Sequence, residues 1–207
     1  MDERRSRRAG IAAAVGGALL AAASIPAPWY GAPRLDAYVF HPPVGSPLWV
    51  RHEVVPILVV VGVALSFVGF VAVLVRDWAD AGALRRWSGL LAAVGGGGLT
   101  LATPLLVYVS FGDRPTSTLS ALGAIVVALV AAILFVPATI VLGIGYLRSE
   151  RPRVGGALLG MVIGVPALAW ILPGGLATVG PGLVAAIAGA TLGRDLYRHH
   201  DPLPNRD

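Results

Sequence analysis

Long apolar runs alternate with short charged clusters along this chain. Uncharged and predominantly apolar segments cover residues 10–29, 54–75, 88–111, 119–147 and 154–193. A helix rises about 1.5 Å per residue, so about 20 residues cross the ~30 Å hydrocarbon core of a bilayer. The pattern therefore predicts an all-α integral membrane protein, with a single transmembrane helical domain over residues 1–207.

The last apolar run decides the number of crossings. Its forty residues are twice what one crossing needs, so we expect the chain to fold back near Pro173-Gly174-Gly175. The expected fold is a bundle of six transmembrane helices at approximately residues 10–29, 54–75, 88–111, 119–147, 154–172 and 176–193. The alternative is five helices, with a re-entrant segment that turns at Gly180-Pro181-Gly182.

The arginines are divided unequally between the two sides of the predicted bundle. With the N-terminus inside, thirteen arginines lie on the inner side and only Arg34, Arg51 and Arg114 lie outside. The positive-inside rule favours this orientation, and five crossings would move the last three inner arginines outside. We therefore expect a multi-pass protein of the cell membrane with cytoplasmic termini, an outer loop at residues 30–53 and a polar tail at residues 194–207.

The first apolar run has a second interpretation. Four arginines precede an alanine-rich stretch that has small residues near Ser24, and this arrangement also fits a cleavable signal peptide. The sequence leaves open whether the first helix is cleaved.

Composition narrows the classes of function. Hydrophobic residues make up 56% of the chain and charged residues 13%, against ~25% charged in globular proteins, so a soluble surface could not be built. The net charge of +5 does not indicate nucleic acid, because the arginines lie beside Trp and Tyr at the ends of apolar runs and can contact lipid head groups. The absence of cysteine excludes disulfides, thiolate metal sites and a cysteine nucleophile.

Small residues indicate where helices approach closely. Gly156, Gly160 and Gly164 recur at every fourth position in the fifth predicted helix, and Ala185, Gly189 and Gly193 do so in the sixth. Stripes of this kind allow close backbone contact between membrane helices. We expect these two helices to pack together.

The outer loop is the richest source of candidate chemistry. Its imidazoles and carboxylates could hold a metal or serve a membrane enzyme, and the candidate residues are Asp36, His41, Arg51, His52 and Glu53. Their spacing matches no known ligand pattern. The favoured interpretation is a proline-stiffened cap with aromatic residues at the membrane interface, so we assign no metal, cofactor or catalytic residue.

A short motif lies in the same loop. His41-Pro42-Pro43-Val44-Gly45 resembles the signature tripeptide of the HPP family of small integral membrane proteins, some of which are implicated in anion transport. The resemblance covers five of the 207 residues. We transfer no function from it.

The predicted helices contain no ionisable residue other than Tyr, a poor composition for an ion-coupled carrier or an intramembrane enzyme. The leading hypothesis is a non-catalytic accessory or scaffold subunit whose lipid-facing and small-residue surfaces serve assembly. Separately from this role, the expected contacts of the chain are membrane lipid and either a protein partner or, in a homo-oligomer, a second copy of the chain. The first alternative is a channel or uncoupled transporter for a small neutral or anionic solute, with proline-broken helices and the arginine-bearing outer loop as its entrance; hydroxyls such as those of Ser66, Thr100 and Thr139 are available in its helices. The weaker alternative is a membrane enzyme that uses the outer loop.

Overall fold

The computed structural model describes residues 3–25, 44–111, 118–149, 151–172 and 176–198, and every regular element within them is helical. Two π-helical turns, π1 (Val50–Val54) and π2 (Gly160–Gly164), connect α-helices. The predicted all-α fold class is confirmed for this part of the chain. The α-helices are α1 (Glu3–Ser24), α2 (Pro47–Trp49), α3 (Val55–Asp77), α4 (Ala83–Phe111), α5 (Thr118–Leu147), α6 (Pro152–Leu159), α7 (Val165–Ile171) and α8 (Leu176–Arg198).

Four helical stretches in the described residues are long and apolar enough to cross a membrane: Val50–Asp77, Ala83–Val107, Ala121–Leu147 and Pro152–Ile171. Helices α1 and α8 are less apolar, because Ala and Gly dominate them and because charged residues occupy the start of α1 and the end of α8. Length and composition therefore indicate a membrane protein. A six-crossing bundle requires α1 and α8 to cross as well.

The forty-residue apolar run forms two antiparallel helical segments. Gly180 of α8 lies against Leu172, which follows α7, whereas Gly164 of π2 lies against Val184 further along α8. Helix α8 continues without a break through residues 180–182, so the alternative that placed a re-entrant turn there is wrong. The predicted turn at residues 173–175 lies outside the described residues.

Proline explains both π-helical turns. A proline ring collides with the carbonyl four residues earlier in an α-helix and supplies no N–H. Pro56 and Pro166 each follow a π turn by two residues, and the N–H of the intervening residue, Val55 or Val165, donates to the carbonyl five residues earlier. The wider turn thus accommodates the ring while the segment stays helical.

Helix α1 lies between α3 and α8. A Cβ atom built on Gly16 would lie 2.6 Å from the backbone nitrogen of Ser66 in α3, and one built on Gly17 would lie 2.6 Å from the carbonyl oxygen of Ala185 in α8. Only glycine permits such an approach. Helices α4 and α5 pack mainly against each other and join the group through α3 and α6.

The described residues form six long helical segments, which are α1, α2–α3, α4, α5, α6–α7 and α8. Consecutive segments run in opposite directions. At one end of the bundle, Ser6 near the start of α1 donates to the carbonyl of Leu196 near the end of α8, at 2.9 Å. At the same end, Arg76 near the end of α3 pairs with Asp195. This end is called the arginine-rich end below. Among the side chains that the structure describes, its exposed arginines are Arg4, Arg5, Arg7, Arg8, Arg86, Arg148, Arg153 and Arg194.

The two predicted helices pack together as we expected, because α6, π2 and α7 all contact α8, but their small-residue stripes do not face each other. Gly160 and Gly164 do face α8, where the Val184 side chain would lie 3.6 and 3.7 Å from an added Cβ, but Gly156 faces open space. The stripe of α8 instead lies on α1. A Cβ on Gly189 or Gly193 would lie 2.5 Å from a carbonyl oxygen of α1, and Ala185 lies against Gly17. The small residues of α8 fit closely against those of α1, which allows the two backbones to touch. Between α8 and π2, by contrast, the larger side chain of Val184 fills the space.

Replacing Gly189 with Leu should therefore destabilise the bundle by roughly 1–3 kcal/mol or more, because the side chain would force α1 away from α8. Thermal unfolding of the purified protein in detergent measures this. Gly156→Leu is the matched control and should leave the melting temperature almost unchanged. Equal effects of the two substitutions would contradict the α1–α8 contact.

Candidate functional site

The described residues include only part of the predicted outer-loop site. Asp36 and His41 lie outside the described residues. Arg51, His52 and Glu53 are consecutive in π1, where neighbouring positions project in different directions, and Glu53 is exposed. No group of three or more His, Cys, Asp or Glu side chains in the described parts of the chain is placed to hold a metal ion.

A polar cluster that we did not predict lies at the arginine-rich end. It is called the Asp77 network here and consists of Arg76, Asp77, Tyr146, Arg151 and Asp195. Arg76 and Asp77 end α3, Tyr146 is in the last turn of α5, Arg151 precedes α6, and Asp195 is near the end of α8. Residues far apart in sequence therefore meet where four chain segments reach the same end of the bundle.

Asp77 is the centre of the network. Its Oδ1 atom accepts hydrogen bonds from Arg76 Nε at 2.9 Å and from Arg151 Nη1 at 2.8 Å. Its Oδ2 atom accepts from the hydroxyl of Tyr146 at 2.8 Å and from Arg151 Nη1 at 3.0 Å. The side chain is only 12% exposed, so these donors replace most of the water that an isolated carboxylate would bind.

Arg76 extends the network to α8. Its Nη2 atom lies 2.6 Å from Asp195 Oδ2, and its Nη1 atom donates to the Asp195 carbonyl oxygen at 3.3 Å. The Arg76 side chain is 11% exposed. One guanidinium thus joins two carboxylates on different helices, and the two arginines balance the charge of the two aspartates.

Aromatic rings lie beside these charges. The Tyr146 ring is buried, and the guanidinium of Arg85 in α4 lies 5.1 Å from its centroid. At α1, Arg7 lies 4.9 Å from the ring centroid of Tyr197. These cation–π contacts connect the starts of α4 and α1 to the ends of α5 and α8.

The Asp77 network is suited to holding helices together rather than to catalysis. Three protein donors already occupy the Asp77 carboxylate, and Asp195 is occupied by Arg76. The Asp77 carboxylate is therefore not positioned to accept a proton from a substrate or to ligate a metal. Apolar side chains lie directly beneath, including Val73, Leu142 and Leu158, which are almost fully buried.

The sequence contained a partial signal for this network. Each member ends or follows an apolar run, and hydropathy places all of these positions at the same membrane interface. The pairing was not predictable, since Asp195 in α8 and its partner Arg76 in α3 are 119 residues apart in the sequence. The spacing of residues along one helix does not show which other helix ends beside it in the fold.

Asp77→Asn should destabilise the protein by roughly 3 kcal/mol, because two arginines would lose a largely buried counter-charge. The melting temperature in detergent measures the effect. Asp80→Asn is the control, because Asp80 is exposed and makes no ion pair with another described residue. If Asp77→Asn melts like the wild type, the network does not contribute to stability.

Comparison with known proteins finds no family model, no curated protein and no solved structure that matches this chain. Its function must therefore be inferred from its own residues.

Proposed function

We propose that this chain is a cell-membrane protein of six crossings with cytoplasmic termini, and that it acts as an accessory or scaffold subunit. The observation that carries the proposal is the way its polar groups are used. In the described residues, the buried charges neutralise each other at one end of the bundle, and backbone contacts close the space around α1. An interior of this kind holds the helices in fixed positions, as assembly with another subunit requires, and it leaves few unpaired polar groups for catalysis.

The outer surface is consistent with assembly in a membrane. In α5, the buried residues between 121 and 138 are Ala124, Ala131 and Ala138, a narrow seam at seven-residue intervals. The rest of this stretch is exposed or half-buried and apolar, with Ile125, Leu129 and Ile133 each at least half exposed. Lipid covers a surface of this kind, and a helix of another subunit can also cover it.

The transport alternative receives less support. The hydroxyls of Thr100, Thr103 and Thr191 each donate to the carbonyl four residues earlier in their own helix, at 2.7–2.8 Å. They therefore satisfy the backbone instead of offering a free donor to a passing solute. Ser66 and Thr139 have buried hydroxyls without a hydrogen-bond partner among the described residues, and they lie on different helices.

The orientation can be tested with single cysteines, because the natural chain contains none. We expect an impermeant maleimide to label Val44→Cys in intact cells, and to label Arg153→Cys and Arg194→Cys only after permeabilisation. These positions are exposed and lie on opposite sides of the proposed bundle. Labelling of Arg194→Cys in intact cells would contradict a cytoplasmic C-terminal end.

The accessory role predicts a stoichiometric protein partner. Affinity purification from native membranes in mild detergent, followed by native mass spectrometry, should recover the chain together with that partner. Asp77→Asn serves as a comparison, because a destabilised bundle should lose the partner if the assembled fold is what binds it. Recovery of the wild-type chain alone, as monomer or homo-oligomer, would overturn the accessory role and would justify flux assays in liposomes.

A further inference from the structure

A pocket of about 370 Å³ opens beside the Asp77 network at the arginine-rich end. The α3–α4 connection and the first turn of α4 form one wall, with Asp80, Leu84 and Arg85. Helix α5 forms the other wall with Val141 and Gly145. Ligand pockets range over ~300–1,000 Å³, so this pocket can hold a polar head group but not a long acyl chain.

Two opposite charges line the pocket, and neither forms an ion pair with another described residue. Arg85 is held by its contact with the Tyr146 ring, which uses no hydrogen-bond acceptor, and its guanidinium makes no hydrogen bond within the described chain. The adjacent Arg86 differs, because it donates to the carbonyls of Trp78 and Ala79. Arg85 therefore retains N–H donors for a ligand, and Asp80 retains a carboxylate.

The charged residues of the pocket lie towards the arginine-rich end, and its α5 wall extends away from that end. Tyr146 and Leu147 end α5 beside Arg85, whereas Val141 lies more than one turn further from the end of the helix. Leu84 and Val141, which line the pocket, and the neighbouring Ile144 expose apolar surface. A ligand with a charged head and an apolar tail fits this gradient, with its tail lying along α5 outside the cavity.

We infer that the pocket binds phosphatidylethanolamine, with the lipid phosphate on Arg85 and the primary ammonium on Asp80. The phosphate provides acceptors for the guanidinium, and the ammonium provides N–H donors for the carboxylate. Phosphatidylcholine lacks those N–H donors. Phosphatidylglycerol would place an uncharged glycerol at Asp80 and add net negative charge beside the carboxylate. The inference depends on the proposed membrane location and is independent of the accessory role.

Native mass spectrometry of the delipidated full-length protein in detergent tests this inference. Dioleoyl phosphatidylethanolamine, phosphatidylcholine and phosphatidylglycerol are titrated separately onto the wild type and three variants. Arg85→Gln and Asp80→Asn alter the two charges, and Arg153→Gln is the control because Arg153 is an exposed arginine of the same end that does not line the pocket. Circular dichroism and the melting temperature establish that each variant is folded.

We expect the wild type to bind phosphatidylethanolamine about tenfold more tightly than either other lipid, and each pocket variant to lose about tenfold in that affinity. Arg153→Gln should bind like the wild type. Equal affinity for the three lipids, or an equal loss in Arg153→Gln, would overturn the inference in favour of non-specific attraction. Preference for phosphatidylglycerol with no effect of Asp80→Asn would overturn it in favour of an anionic-lipid site. These outcomes do not depend on whether a protein partner is found.

Discussion

The contact of α1 with α3 and α8 constrains the whole bundle. Gly16 and Gly17 are adjacent in sequence, and each faces a different helix, so α1 is held on two sides by backbone contact. Contact at this distance gains dispersion energy along the full length of the helices. It also leaves no space between them for water. Larger side chains pack where α3 approaches α5, including Phe70 and Phe135 with ring centroids 5.9 Å apart.

The Asp77 network lies at the end of the helices and joins them by ion pairs, whereas the α1 contact runs along the helices and consists of small residues. Small-residue packing fixes how close the helices are but tolerates sliding along their axes, because successive small residues resemble one another. Ion pairs at defined distances do not tolerate such sliding. Arg76 and Arg151 therefore set the register of α3, α6 and α8, and Tyr146 adds α5. Burying these charges is costly unless all are paired, and a shift of one turn would separate them.

Apolar runs predicted the helices well because hydrophobicity and helix length are local properties. The predicted segment at residues 119–147 corresponds to α5, which spans Thr118–Leu147. Helices α1 and α4 begin before the predicted transmembrane segments, at Glu3 and Ala83, because hydropathy detects the apolar run and not the charged helical turns that precede it. What could not be predicted is which surfaces meet. The four-residue spacing identified the face of α8 at Gly189 but not its partner, and no local pattern connects Asp77 to Tyr146.

The position of α1 has a consequence for how the chain is made. A ribosome synthesises α1 well before α8, yet the two helices form the most intimate contact in the described structure, with Gly10 against Gly193 and Gly17 against Gly189. Until α8 emerges, the glycine face of α1 has no permanent occupant on that side. The contact between α1 and α8 therefore cannot form before α8 is synthesised, and an incomplete chain leaves this glycine face without the helix that covers it.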